Sequence, residues 1–126
     1  MPGLTAAQRR LLAEVRERNA DGHYLLVSDK RRYRTVVALE EARLVRAEYV
    51  PLTSPAGTRK WGSAYRCDLP LNAAAKRRVR VRKSGGDDAY SWCVFLDGRA
   101  FVSGQDRQSA TYYYSRLRRQ IAAGAR

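Results

Sequence analysis

Hydrophobic residues near the N-terminus recur with a helical period. Leu11, Leu12 and Val15 form a short apolar stripe, and arginines occupy other positions around it. A capping-box pattern at residues 5–8 precedes the stripe and supplies hydrogen-bond partners for the first turn. These signals predict a helix that begins at about residue 6 and ends before Gly22.

A short strand and a second helix are predicted next. Residues 23–27, HYLLV, are too few for a helix and are rich in strand formers. Possible N-caps at residues 28–29 precede a second helix, which is predicted over residues 30–43. Its core stripe begins with Val36 and Leu39. The residues expected on its outer side are Arg31, Arg34, Thr35 and Ala38.

From residue 46 onwards the hydrophobic period changes to two. Residues 46–52 and 60–69 flank the segment TSPAGTR, whose proline and glycine are typical of a turn. The pattern predicts a β-hairpin with a seven-residue loop. The residues expected on one face of its second strand are Trp61, Ser63, Tyr65, Cys67 and Leu69.

The second half of the chain begins with a basic run, KRRVRVRKSGG, at residues 76–86. Its arginines alternate with valines at residues 78–82, which predicts a strand rather than a solvated tail. The preceding residues 70–77 form either a basic linker or a turn of helix capped by Asn72. An arginine row on one strand face suits phosphate contact, whereas charges on an edge strand also prevent aggregation.

A hairpin and a helix are predicted in the remainder of the chain. Residues 90–96 and 99–104 alternate as strands, and the Asp97-Gly98 dipeptide between them is a strong hairpin signal. Asp106 caps a helix predicted from residue 107 to about residue 122. The apolar stripe of this helix consists of Ala110, Tyr113, Tyr114, Leu117 and Ile121, and Tyr112 is expected to be exposed.

The order helix, short strand, helix and hairpin over residues 4–69 resembles a winged helix-turn-helix domain. The segment TVVALEEARLVRAEYV is similar to the end of a winged-helix recognition helix that runs into the first wing strand. Two features depart from the family. Only SDKRRYR is available for the helix that usually precedes the recognition helix, and Arg43 stands where the family commonly has glycine. An arginine in a left-handed cap costs about 1 kcal/mol, so a differently built turn is expected there.

The second half of the chain reads as β-β-β-α, or as β-β-α if the basic strand does not form. This order is similar to the arm-binding domains of phage-type integrases. It also resembles the double-stranded RNA-binding domain, which needs a full helix before its first strand. The predicted fold is therefore α+β: a winged-helix-like domain at residues 1–69, a basic linker at residues 70–77, and a module at residues 78–126 whose small sheet packs on the C-terminal helix.

The charge of the chain adds a functional expectation to this fold. The net charge is +13, which predicts attraction to polyanions and above all to nucleic acid. Of the 25 basic residues 21 are arginine, whose planar fork matches phosphates and guanine edges. A GC-rich genome explains the preference for arginine over lysine equally well, but it does not explain the excess of base over acid.

The resemblance and the charge together give a candidate DNA-binding set. In the winged-helix family the N-terminal part of the recognition helix lies nearest the bases, and the wing contacts backbone or minor groove. The residues that this implies are Lys30, Arg31, Arg32, Arg34 and Thr35 on the helix and Arg59, Lys60 and Trp61 on the wing. The basic run adds, for phosphate contact, Lys76, Arg77, Arg78, Arg80, Arg82 and Lys83.

Other chemistry finds little support in the sequence. The chain has two cysteines without a CxxC spacing and one histidine, too few ligands for a structural zinc, and its acidic residues form no nuclease-like cluster. We therefore expect neither catalysis nor a metal or cofactor. Without a signal peptide or a long apolar run, a cytoplasmic, nucleoid-associated location is expected.

The leading interpretation is a small bacterial or phage protein that binds double-stranded DNA, either as a transcriptional regulator or as an architectural factor. One alternative is a module that docks on an acidic host protein, with Trp61, Trp92 and Tyr112 as anchors. Another alternative is a binder of duplex RNA. A homodimer through the C-terminal helix is a further expectation.

Overall fold

The structure is a computed structural model that describes residues 3–53, 56–57, 60–86 and 88–124, with the backbone alone at residues 60 and 61. Within these ranges the chain forms four α-helices, one 3-10 turn and two three-stranded antiparallel sheets. This confirms the α+β class. The chain divides into two compact units, Met1–Asn19 with Tyr24–Pro70 and Ala20–His23 with Leu71–Arg126.

The first unit contains two helices and one sheet. Its elements are α1 (Ala6–Ala20), β1 (Leu25–Val27), a 3-10 turn (Lys30–Arg32), α2 (Tyr33–Glu41), β2 (Arg46–Thr53) and β3 (Lys60–Asp68). The sheet order is β1-β3-β2, so the short first strand pairs with the second strand of the hairpin. The predicted capping box is present, because Thr5 Oγ1 and Gln8 Oε1 each accept the other residue's backbone N–H.

The core of the first unit lies between these helices and one face of the sheet. Both predicted stripes are buried, and Cys67 in the central strand is completely enclosed. The buried core residues are Leu11, Leu12, Val15, Val27, Val36, Leu39, Val45 and Cys67. The apolar periodicity of the sequence thus identified the faces that pack together.

A buried amide joins the end of α1 to the end of β3. Asn19 is fully buried; its Nδ2 donates to Asp68 Oδ1 over 3.2 Å, and its Oδ1 accepts from the backbone N–H of Leu69 over 2.8 Å. A polar side chain can be enclosed in this way because both ends of the amide are hydrogen-bonded. This contact fixes where α1 ends against the sheet.

The helix predicted over residues 30–43 is shorter and begins differently. A 3-10 turn at Lys30–Arg32 comes first, and α2 then extends only to Glu41. Asp29 caps the 3-10 turn, as its position before the predicted helix suggested. The early end places residues 42–45 in the turn that leads into β2.

The turn after α2 is built around Arg43 in the left-handed conformation, with a φ of 60°. The Arg43 N–H donates to the carbonyl of Glu40 over 2.9 Å, and the Leu44 N–H donates to that of Leu39 over 3.0 Å. These two bonds are those of a Schellman cap, in which glycine is usual. The expectation of a differently built turn at this position is therefore wrong.

The second unit contains two helices and a three-stranded sheet. In chain order, the three strands follow the short helix and precede the long one. Its elements are α3 (Ala73–Arg78), β4 (Val79–Lys83), β5 (Trp92–Leu96), β6 (Arg99–Gln105) and α4 (Arg107–Ala122). The sheet order is β4-β5-β6, so the basic run does form a strand, paired with β5. Of the two interpretations of residues 70–77, the structure has the capped helix: Asn72 Oδ1 accepts from the Ala75 N–H.

The core of the second unit lies between the sheet and its helices. The buried residues are Ala75, Val79, Val94, Ala110, Leu117 and Ile121. Tyr113 and Tyr114 pack against them, whereas Tyr112 is exposed, as the helical stripe predicted. The hairpin turn at Asp97 and Gly98 has positive φ at both residues, the conformation that a two-residue type I′ turn requires.

The start of β5 differs from the prediction. Tyr90 lies before the strand and is 63% exposed, while Ser91 is buried and donates its hydroxyl to the carbonyl of Asp88. The partner strand β6 carries two irregularities in register, next to Phe101 and Gly104. Sequence periodicity could not place these bulges, because they are defined by the pairing of β6 with β5.

Candidate nucleic-acid interface

The positive charge of the chain is divided almost evenly between the two units. The first unit has 13 Lys and Arg residues against 7 Asp and Glu, and the second has 12 against 5. Their net charges are therefore +6 and +7. Each unit by itself carries enough positive charge to attract a polyanion.

The start of α2 presents basic side chains around a capped turn. Asp29 Oδ1 accepts from the Arg31 backbone N–H over 3.0 Å and lies 3.3 Å from Arg31 Nε. The hydrogen bonds from Arg31, first from its backbone and then from its side chain, lower the pKa of the Asp29 carboxyl. The Arg31 side chain is nevertheless 92% exposed, so it is available to a ligand.

Two of the five residues predicted to contact DNA from the helix, Arg32 and Thr35, are half-buried rather than exposed. Arg32 is half-buried and forms a salt bridge with Glu14 of α1, with a second nitrogen 3.4 Å from the same carboxylate. Thr35 is half-buried as well. The exposed members of the predicted set, which we call the helix cations, are Lys30, Arg31 and Arg34.

The predicted wing residues lie mostly outside the described part of the chain. Arg59 lies outside the described residues, and the side chains of Lys60 and Trp61 are outside the description as well. The backbone of residues 60 and 61 belongs to β3, opposite β2. The predicted role of this loop in binding stays a prediction.

The basic strand β4 has two different faces. Val79 and Val81 point to the helices, whereas Arg80 and Arg82 are exposed on the opposite face. On that open face Arg80 stands across from Phe95 of β5. Because paired residues of an antiparallel sheet lie on the same side, this arginine and this aromatic ring share one surface.

Arg78 does not belong to the exposed arginine row. It ends α3, and its Nε and Nη2 donate to the two carboxylate oxygens of Asp97 over 2.8 and 3.0 Å. The Asp97 backbone N–H also donates to the Arg78 carbonyl. This bidentate contact raises the pKa of Arg78 and lowers that of Asp97. Arg78 thus ties α3 to the β5–β6 turn.

The other basic side chains of residues 76–83 are exposed, and their backbone belongs to α3 and β4. We call these side chains the strand cations. They are Lys76 and Arg77 near the end of α3 and, on β4 itself, Arg80, Arg82 and Lys83. Within the described residues none of them forms a salt bridge. Their backbone is held by the Asn72 cap and by pairing with β5, which reduces the entropy lost when a ligand binds.

The structure places one further residue, Phe95, beside a member of the predicted set. It was not singled out in the sequence because its place beside Arg80 depends on the register between β4 and β5. The only available signal was the Asp97-Gly98 turn, which fixes Leu96 opposite Arg99 and hence the face that Phe95 occupies. The register between β4 and β5 cannot be predicted from local sequence, because it depends on how the two strands pair in the folded protein.

Three further observations concern metal binding, thiol reactivity and membrane insertion. In the part of the chain that the structure describes, no three His, Cys, Asp or Glu side chains come together as a metal site. Both cysteines are free, and burial raises the pKa of the Cys67 thiol to about 11, which keeps it protonated and unreactive at neutral pH. None of the described helices is long and apolar enough to cross a membrane.

Comparisons of the chain with models of protein families, with curated proteins and with solved structures gave no match.

Proposed function

We propose that this protein binds double-stranded DNA through two basic surfaces, one on each unit, and acts as a small regulator or architectural factor. The strand cations contact phosphates. The helix cations approach the bases in the major groove. Phe95, beside Arg80, contributes an apolar contact to the strand surface.

The observation that carries this proposal is that the five strand cations are exposed while their backbone belongs to α3 and β4. Each cation that neutralises a phosphate releases condensed counterions, which is the main source of sequence-independent affinity for DNA. In the described residues these side chains have no acidic partner that would compete with a phosphate. Because β4 is an edge strand, the same charges also keep other strands from pairing with it, and the DNA titration below separates the two roles.

The assignment of the helix cations rests on the order of elements in the first unit. Helix, short strand, helix and hairpin follow one another, and β1 pairs with the far strand of the hairpin. This order supports a winged-helix-like arrangement in which the start of α2 faces the major groove. Arg34 projects from the first turn of α2 and could donate both branches of its fork to guanine O6 and N7.

A fluorescence-anisotropy titration of a mixed-sequence duplex at several salt concentrations tests the proposal. About six phosphate contacts predict a slope of about −5 in a plot of log K against log salt concentration. The double variant Arg80→Gln/Arg82→Gln should weaken binding. The matched control is Arg9→Gln/Arg10→Gln, which removes the same charge from exposed positions on α1. No binding by the wild type, or equal loss in both variants, would contradict the proposal.

One observation also favours the second candidate, duplex RNA. The double-stranded RNA-binding domain has a helix before its three strands, and the structure has a helix, α3, directly before β4. At six residues α3 is short, which ranks this candidate below DNA. Titration of an RNA duplex of equal length separates the two, because the better-bound duplex identifies the ligand.

A further inference from the structure

One face of the second sheet is left uncovered by the helices of its unit. Both of those helices pack on the other face, against the valines of the core. The register places Arg80, Arg82, Cys93, Phe95 and Ala100 on the side away from that core, and we call these side chains the open face. Arg80, Arg82 and Ala100 are exposed, and Phe95 is half-buried between two of them.

The ring of Phe95 has no stacking partner of its own. Among the described residues, no aromatic ring or guanidinium stacks on it. By contrast Trp92, which was predicted as an anchor for a partner protein, is half-buried with the Arg107 guanidinium 6.0 Å from its ring centroid. Tyr114 has a guanidinium 4.6 Å away, and the other rings of β6 and α4 contact one another at 5.4 and 6.4 Å. The accessible part of the Phe95 ring is therefore free to meet a flat ligand.

The open face is positively charged and contains no acidic side chain. Arg80 and Arg82 form no salt bridge within the ranges that the structure describes. Residues two positions apart on a strand have Cα atoms about 7 Å apart, and neighbouring strands are about 5 Å apart. Phe95 thus stands beside one arginine and diagonally across from the other, so a ring and two cations lie close enough together to contact adjacent nucleotides.

We propose that the open face binds single-stranded DNA, with an unpaired base stacked on Phe95 and neighbouring phosphates paired with Arg80 and Arg82. This inference rests on the proposed function, which names DNA as the ligand, and adds unpaired strands to the duplex. Each nucleotide of a single strand presents a phosphate and a flat base, and the open face offers a partner for both. An acidic peptide would neutralise the arginines but would leave the ring without a flat partner.

A duplex cannot use Phe95 in the same way. Its bases are stacked on one another, so only their edges are reachable from the grooves, and extruding a base costs unstacking energy. Phe95 is half-buried in the central strand of a sheet, so it is limited to an apolar contact with a duplex. The flat face of the ring strengthens binding only where a base is already unpaired. This effect is tolerant of sequence, because every base has a flat face.

Fluorescence-anisotropy titrations with two labelled strands of equal length and charge test this inference. One strand is oligothymidine, which does not pair with itself, and the other is its abasic counterpart, which has the same phosphates without the bases. Stacking predicts that the wild type binds oligothymidine about tenfold more tightly than the abasic strand. Binding by charge alone predicts equal affinities, and that result would overturn the inference.

Three variants assign this difference to one ring. Phe95→Leu keeps an apolar side chain but removes the flat ring, so it should abolish the preference for oligothymidine without changing the affinity for the abasic strand. Phe95→Tyr keeps the ring and should keep the preference. The matched control is Tyr112→Leu, which removes a 49% exposed ring from α4, on the covered side of the sheet, and should also leave the preference intact. A preference that survives Phe95→Leu would overturn the inference.

Titration of a mixed-sequence duplex with the same proteins lets the two proposals fail separately. A wild type that distinguishes the two single strands but does not bind the duplex would contradict duplex binding and leave the open face with its ligand. A wild type that binds the duplex but holds both single strands equally would do the reverse. Phe95→Leu should leave duplex affinity unchanged, because its apolar contact is retained. The comparison of two strands on one variant also remains valid if that variant is partly unfolded, since both affinities then decrease alike.

Discussion

Arg43 occupies the left-handed position that ends α2, although its side chain contributes no hydrogen bond to the turn. The bonds that close the helix come from the backbone of Arg43 and Leu44. In the left-handed region a Cβ atom crowds the following carbonyl oxygen, which costs about 1 kcal/mol or more. The conformation is retained because Leu44 and Val45 must turn towards the core.

We predict that Arg43→Gly stabilises the protein. Relief of the left-handed strain outweighs the greater chain entropy of glycine in the unfolded state, so the free energy of unfolding should rise by about 0.5–1 kcal/mol in urea denaturation. The neighbouring variant Ala42→Gly is the control. Ala42 has a φ of −76°, so glycine there should destabilise the protein. A loss of stability in Arg43→Gly would contradict this explanation of the turn.

Individual arginines show where sequence reasoning about the site reaches its limit. The exposure of Arg31 and Arg34 followed from the helical stripe, whereas the role of the basic clusters in binding stays a prediction. It could not show that Arg32 pairs with Glu14 or that Arg78 pairs with Asp97. Those partners are 18 and 19 positions away, and only the packing of elements brings them into contact.

At the level of elements, the helices with strong local signals were placed best. α4 spans the predicted residues because a cap, an apolar stripe and a basic last turn all agree. The second hairpin followed from the Asp97-Gly98 turn. The 3-10 turn before α2 was missed, since its composition is that of a helix and only the hydrogen-bond spacing differs.

Asp106, the N-cap of α4, should make the stability of the folded protein depend on pH. The Ser109 backbone N–H donates to Asp106 Oδ1 over 2.7 Å, and this bond lowers the pKa of the Asp106 carboxyl below its ordinary value of 3.8. A carboxyl with a depressed pKa stabilises the folded state above pH 3.8 and loses that contribution as pH falls through its folded-state pKa.

We therefore expect Asp106→Asn to flatten the acid dependence of stability. Asparagine keeps the oxygen that accepts from Ser109 but does not titrate. Urea unfolding between about pH 5 and about pH 2 should show a smaller decrease in the variant than in the wild type. The decrease should not vanish in the variant, because Asp29 and Asp97 also have lowered pKa values and still titrate there. Parallel curves would exclude this role for the cap.

At the scale of the whole molecule, the proposed function implies that the two basic surfaces differ in what they contribute to DNA binding. The helix cations lie in the 3-10 turn and the first turn of α2, which the proposed function places at base edges, whereas the strand cations lie on a sheet and a short helix. Affinity from phosphates is indifferent to sequence, but affinity from base edges is not. The two surfaces should therefore respond differently to charge removal.

We predict that Arg31→Gln/Arg34→Gln reduces the preference for a selected site over a mixed-sequence duplex. Each lost base contact should lower that preference by about 1–3 kcal/mol. Arg80→Gln/Arg82→Gln should instead weaken binding to both duplexes alike and reduce the size of the salt slope by about 2. Competition titrations with both duplexes give these quantities. Equal losses on every sequence by both variants would show that the surfaces are not specialised.

The salt bridge between Arg78 and Asp97 also has a consequence for how this sequence can evolve. Each residue loses its bidentate partner when the other changes alone, so mutations at these two positions should be accepted together or not at all. Arg80 and Arg82 form no salt bridge in the described chain, so the proposed ligand is the partner expected to constrain their substitution. In related sequences, positions 78 and 97 should covary, whereas positions 80 and 82 should change with the ligand.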